Sequence, residues 1–178
     1  MKLPLHYYGD PILRKKGKAI EEVTPEIVQL AHDMIETMLH LNNSIGLSAN
    51  QVGKLLRIFV IREEIFHENG TYSFGPPEVF INPVLSNPSE ELEEMQEGCM
   101  SIPKLYVHVV RPKKIHISYQ NLKGETVEED PENFRARMLM HENDHINGVL
   151  MVDRMDPKER EKIAPALQAM KKKYAKKS

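Results

Sequence analysis

Tryptophan is absent from the 178 residues, and Tyr and Phe number only six and five. So few aromatics leave little to stack nucleobases on, which argues against single-strand nucleic-acid binding. Cysteine is nearly absent as well. The single one, Cys99, excludes an internal disulfide, fits a reducing compartment and leaves a thiol free for a metal or for nucleophilic work. Neither sign of charge dominates: 24 basic residues face 26 acidic ones, so no whole-chain field draws the protein to DNA or to a membrane. No apolar run approaches the roughly 20 residues of a membrane span. The first ten residues, Met-Lys-Leu-Pro-Leu-His-Tyr-Tyr-Gly-Asp, have neither a signal peptide's apolar stretch nor Arg/Ser-rich transit character. These absences predict a cytoplasmic protein. Repeats and Gly/Ser-rich linkers are missing too, so a single domain over 1–178 is expected, ending in a helix and lysine-rich tail over about 156–178.

What is present reads first as a helix over 24–41. Thr24 suits the cap, Pro25 the first helical position and Glu26 the positive end of the dipole. Ile27, Leu30, Ala31, Met34, Met38 and Leu41 then keep a helical period. Short β-branched and aromatic runs at 57–61, 79–82, 107–110 and 115–119 read as strands, and the turn at 121–124 joins the last to 125–128 as a hairpin. The Gly-, Asn- and Pro-bearing stretch 67–77 reads as an excursion loop. Asp130-Pro131-Glu132 reads as the start of a second helix that stops at Asn147-Gly148. A last helix opens at Asp156-Pro157-Lys158-Glu159, a capping-box pattern, with a kink or early break expected at Pro165. Helix, strands, helix, helix is the order of an α+β fold.

The second helix carries the densest chemistry: His141, Glu142, Asn143, Asp144, His145. Residues four apart lie on one helix face, about 6 Å along the axis, so the two imidazoles can share one metal ion. A catalytic ion of this kind takes a third protein ligand and keeps a position open for water. Without a metal, the histidines would simply cap or line the helix. With one, two third ligands compete. Glu159 or Glu161 would make a small peptidase, although both suit a solvated first helical turn and little chain follows the motif. Cys99, in Glu97-Gly98-Cys99-Met100-Ser101, follows a glycine that allows close backbone approach and carries a sulfur suited to borderline divalent ions. A lone cysteine is otherwise a small buried hydrophobe.

Three motifs in order resemble the peptide deformylase family of bacterial type. Ser44-Ile45-Gly46-Leu47-Ser48-Ala49-Asn50-Gln51 matches the family's Gly-hydrophobic-Gly-hydrophobic-Ala-Ala-x-Gln, Glu97 to Ser101 its Glu-Gly-Cys-hydrophobic-Ser, and Met140 to His145 its Gln-His-Glu-x-Asp-His. The likeness runs from Tyr8-Gly9-Asp10-Pro11 to Gly148-Val149-Leu150 and Asp153. Departures are Ser44 for glycine, Ser48 for alanine, Met140 for glutamine and Tyr106 where many bacterial members carry arginine.

The resemblance implies one domain of short antiparallel or mixed sheets around a central motif-bearing helix, flanked by N- and C-terminal helices. It implies Cys99, His141 and His145 as metal ligands, Glu142 as general base and acid, and the Gln51 side chain with the Met100 backbone N–H at the oxyanion. The substrate-binding set it implies is Ile45, Gly46, Glu97, Gly98, Phe134 and Met138. Ile45, Phe134 and Met138 would line a methionine pocket, with Arg137 where the family often has an aliphatic residue. Phe134 and Met138 also read as ordinary core. Glu97 and Arg111 would frame the cysteine loop with Asp144, and Ser48 and Asn50 read as scaffold rather than chemistry. The implied cofactor is one divalent metal ion, Fe2+ in the cell, with Zn2+, Ni2+ or Co2+ able to substitute. The implied partners are N-formylmethionyl peptides, with transient ribosome contact through the basic end (Lys171, Lys172, Lys173, Lys176, Lys177), and neither DNA nor membrane. A degenerate paralogue that binds without turnover is a further reading, against which the intact Glu142 and Gln51 speak.

Overall fold

A computed structural model describes residues 1–175; Lys176 and Lys177 of the basic end lie outside the described residues. In chain order the elements are α1 (Pro25–His40), β1 (Gly46–Ser48), β2 (Ile58–Ile61), β3 (Glu64–Phe66), β4 (Tyr72–Phe74), β5 (Glu78–Ser86), β6 (Leu92–Cys99), β7 (Ile102–Pro112), β8 (His116–Gln120), β9 (Thr126–Glu129), α2 (Asn133–Ile146) and α3 (Pro157–Tyr174). Strands β1-β2-β5-β8-β9 form an antiparallel sheet in that order, while β3–β4 and β6–β7 are separate two-stranded ribbons. This is the α+β arrangement expected, with α2 at its centre.

The sequence of β2 explains why α2 is central. Ile58, Phe59, Val60 and Ile61 are all fully buried, so both faces of this strand must be covered. Side chains alternate along a strand. Ile58 and Val60 pack with Ala31, Met34 and Met38 of α1, whereas Phe59 and Ile61 pack with Ala136, Leu139 and Ile146 of α2. Helix α2 thus lies against the sheet beside β1, the short edge strand. A third cluster joins Val107 and Val109 of β7 to Leu13, Val152 and Leu167 of α3.

Thr24 caps α1 as expected, its hydroxyl accepting from the Ile27 N–H. The 8–9 hairpin also forms where the turn signal puts it. Three expectations are corrected. The 67–77 excursion contains strand β4, because Tyr72–Phe74 pairs back onto Glu64–Phe66. Helix α2 starts at Asn133 rather than at Asp130-Pro131, since a bridge between Lys114 and Glu132 keeps the chain extended up to the helix. Helix α3 runs through Pro165 to Tyr174 without a break; Pro165 and Glu161, whose carbonyl loses its donor, are both exposed to water.

The end of α2 is set by contact as well as by conformation. Gly148 is left-handed (φ 74°), and a Cβ there would run into the Arg14 carbonyl. Arg14 in turn pairs with Asp153 just beyond, fastening the N-terminal segment to the C-terminal side of the motif helix.

Candidate metal centre

The two histidines reach their partner through an irregularity in the β6–β7 ribbon. Regular pairing holds from Leu92↔Pro112 to Gly98↔Tyr106, and then the register jumps to Cys99↔Ile102. The residues between, including Lys104 with φ 62°, have no opposite number and form a bulge. Cys99 thereby sits at the tip of the ribbon, above α2. The ligand atoms of Cys99, His141 and His145 all lie within 4.8 Å of one another, the only such group among the described residues. Cys99 Sγ is 3.3 Å from His145 Nε2, and the two imidazole rings meet edge to face with centroids 5.1 Å apart. Glu159 does not compete: it is exposed and pairs with Lys162 at 2.6 Å.

One thiolate and two imidazoles suit zinc, iron, nickel or cobalt by softness and number. The surroundings prepare them for the task. His141 Nδ1 is 2.8 Å from Glu97 Oε1, so the carboxylate holds the proton on Nδ1 and leaves Nε2 as the nitrogen a metal would take. Burial works against charging His141, yet the Cys99 sulfur and the Glu97 carboxylate outweigh it and hold its pKa well above the ordinary value, so an ion at Nε2 would displace a proton there. Burial and the neighbouring His141 keep His145 far below its ordinary value, hence neutral and able to ligate.

Glu97 gathers the cluster. Its oxygens accept from Arg111 Nε (2.6 Å) and Nη2 (2.9 Å), from Arg137 Nη1 (2.6 Å) and from His141. Arg111 continues to Asp144 (2.9 Å), which also binds Arg154. Burial alone would raise the Glu97 carboxyl, but Arg111 and His141 hold it well below the usual carboxylate range. The carboxylate implied as substrate-binding is therefore occupied by protein partners. Arg137, implied at an aliphatic pocket position, likewise directs its guanidinium to Glu97 and to the Val109 and Glu93 carbonyls.

Beside the Cys99–His141–His145 cluster lies Glu142, buried on α2, whose carboxyl is pushed up by burial despite His141 and Ser48. Ser48 Oγ donates to Glu142 Oε2 at 2.6 Å. The sequence alone assigned this serine to scaffold; no local signal marks a contact between residues 94 apart. Gly46 is required here, since any Cβ would strike the Glu142 carboxylate. Gln51 is oriented by its own turn: its Oε1 accepts the Ser48 N–H (2.9 Å), so Nε2 faces Ser101 Oγ (3.0 Å) and Cys99 Sγ (3.6 Å). A cavity of about 370 Å³ opens over these groups. Ile45, Gly46, Gly98, Met100, Phe134 and Met138 line it together with Gln51, Glu97, Cys99, His141 and Glu142. Every residue implied as ligand, base, oxyanion donor or substrate contact borders this cavity except His145, which meets Cys99 at 3.3 Å.

The sequence matches the polypeptide deformylase family over residues 2–161. The chain belongs to that family. It is 43% identical over 145 residues to the peptide deformylase of Pseudothermotoga lettingae, covering 82% of this chain and 78% of that one. The crystal structure of peptide deformylase from Thermotoga maritima is similar at a TM-score of 0.78 and 38% identity, covering 88% of this chain and 99% of that one. The Synechococcus elongatus enzyme, solved with actinonin, gives 0.84 at 36% identity, covering 94% and 88%. Deformylases are metal-dependent hydrolases, and the cluster at Cys99 is where this member would hold its ion.

Replacing Glu97 tests the framework. Glu97→Gln leaves the buried Arg137 guanidinium without a countercharge and Arg111 with Asp144 alone, a loss of about 3–5 kcal/mol, and removes the charge that holds the Nδ1 proton of His141. Thermal melts should fall by about 10 °C, and zinc competition titrations should show about 10–100-fold weaker binding. Unchanged metal affinity would refute the role given to Glu97.

Proposed function

We propose that this chain removes the N-terminal formyl group from formylmethionyl peptides, releasing formate and a free amine. The observation that carries the reading is the meeting of Cys99 with His141 and His145 beside Glu142 and Gln51 in one cavity. Cys99, His141 and His145 would hold a divalent ion, which would supply Lewis-acid polarisation and activate water at neutral pH.

The chain's own residues do the rest. Glu142 Oε2 is engaged by Ser48, while Oε1 has no hydrogen bond among the described residues. Oε1 is thus the atom that accepts the proton of the attacking water, and Glu142 hands it to the departing nitrogen as the C–N bond breaks. Burial suits this exchange, because a carboxyl raised toward neutral pH both accepts and returns a proton readily. Gln51 Nε2, with the Met100 N–H, donates to the formyl oxygen as negative charge develops there, each donor contributing about 3 kcal/mol. The formyl carbon bears only hydrogen, so a close-fitting floor beneath it rejects larger acyl groups. Ile45, Phe134 and Met138 receive the methionine side chain, and the backbone at Ile45, Gly46 and Gly98 pairs with the extended peptide.

Ferrous iron is the ion we assign in the cell, with zinc, nickel or cobalt as replacements, and the cytoplasm is the place where formylated chains emerge. No helix among the described residues is long and apolar enough to cross a membrane. The lysines at the end of α3 (Lys171, Lys172, Lys173) form the surface through which the enzyme meets the ribosome. Ribosome pelleting across a salt series, with the full chain and with one ending before Lys171, should show salt-sensitive binding only for the former; equal binding would end this assignment.

The reaction itself is tested by anaerobic incubation of the iron-loaded protein with formyl-Met-Ala-Ser. Formate should appear at a rate that Glu142→Gln lowers about 10²–10⁴-fold with the metal retained, while Cys99→Ala loses the metal. Bound metal in the wild type without formate would mean a formyl-peptide binder instead of an enzyme.

A further inference from the structure

We infer that the Ser48 hydroxyl is a positioning group for the Glu142 carboxylate, deciding which of its two oxygens faces the cavity. The inference rests on the proposed role of Glu142 and adds to it a residue on a different element. Ser48 closes β1, is fully buried, and lies 2.6 Å from Glu142 Oε2 and 3.0 Å from the main-chain carbonyl of the same residue. A single hydroxyl thus lies within hydrogen-bond reach of both the side chain and the backbone of one residue, its one proton going to the nearer Oε2. The carboxylate is confined on the adjoining side as well, where it occupies the space a side chain at Gly46 would need.

The chemistry of the hydroxyl fits this positioning: Ser48 O–H donates to Glu142 Oε2, which leaves Oε1 as the oxygen free for a substrate or water. Alanine, the residue of the family pattern, would keep the backbone N–H bond to Gln51 Oε1 but would remove the only donor to Glu142 Oε2 among the described residues. Oε1 and Oε2 would then be equivalent, and the carboxylate free to turn away from the substrate. One residue thus aligns the base through its side chain and the oxyanion amide through its backbone, and only the former depends on serine.

The test compares steady-state kinetics of metal-loaded wild type, Ser48→Ala and Ser48→Thr on formyl-Met-Ala-Ser, with metal content and melting temperature measured alongside. Ser48→Ala should lower kcat about tenfold, the size of one hydrogen bond to a charged group, with KM changed less than twofold. Ser48→Thr, which keeps the hydroxyl, should recover most of that loss. Combined with Glu142→Asp, which withdraws the carboxylate by one methylene, Ser48→Ala should cost nothing further. An unchanged kcat in Ser48→Ala, or a double variant whose loss is the product of the two single losses, would overturn the inference. Wild-type turnover in Glu142→Gln would instead overturn the assignment of the base, whatever Ser48 does.

Discussion

A buried carboxylate, Glu97, holds together the two parts of the molecule that make the site. It lies on the ribbon that carries Cys99 and is gripped by Arg111 from the same ribbon and by Arg137 and His141 from α2. Such an arrangement is expensive to desolvate and of little net benefit to stability. Its value is geometric. It sets the height of the cysteine tip above the helix, and it fixes the tautomer of the first histidine. Asp144 repeats the arrangement one turn on, taking Arg111 from the ribbon and Arg154 from beyond the helix.

The second constraint comes from the sheet. Because β2 is buried on both faces, α2 must press against it, and the edge strand β1 comes to lie beside Glu142. Only residues without bulk fit there: Gly46, with no side chain, and Ser48, whose one polar atom points at the carboxylate. The turn that follows β1 then delivers Gln51 toward Cys99. The residues to which the proposed function gives the roles of metal ligands, base and oxyanion donor thus come from three elements fixed by packing, a rigidity that preorganised catalysis needs.

Much of this was legible in the sequence wherever the signal is local. Helix α1 announced itself through Thr24, Pro25 and its apolar period, and the 8–9 hairpin through its turn. The metal helix was legible because its two histidines share a helical face. Strand β6 was not: Leu92-Glu-Glu-Met-Gln-Glu is charge-rich because every second side chain from Leu92 is exposed in a two-stranded ribbon. Strand β1 was too short to show a period. Pro165 suggested a break that does not occur, because the bond it removes belongs to a solvated face. The contacts of Ser48 and Arg137 were not legible for a common reason. Their partners, Glu142 and Glu97, lie 94 and 40 residues away, and only the fold brings them together.

That the lone cysteine completes the metal site is the central claim, and X-ray absorption on the zinc-loaded protein addresses it most directly. The account predicts one sulfur at about 2.3 Å and two imidazole nitrogens at about 2.0–2.1 Å, with the sulfur shell gone in Cys99→Ala. A first shell of nitrogen and oxygen alone in the wild type would contradict it.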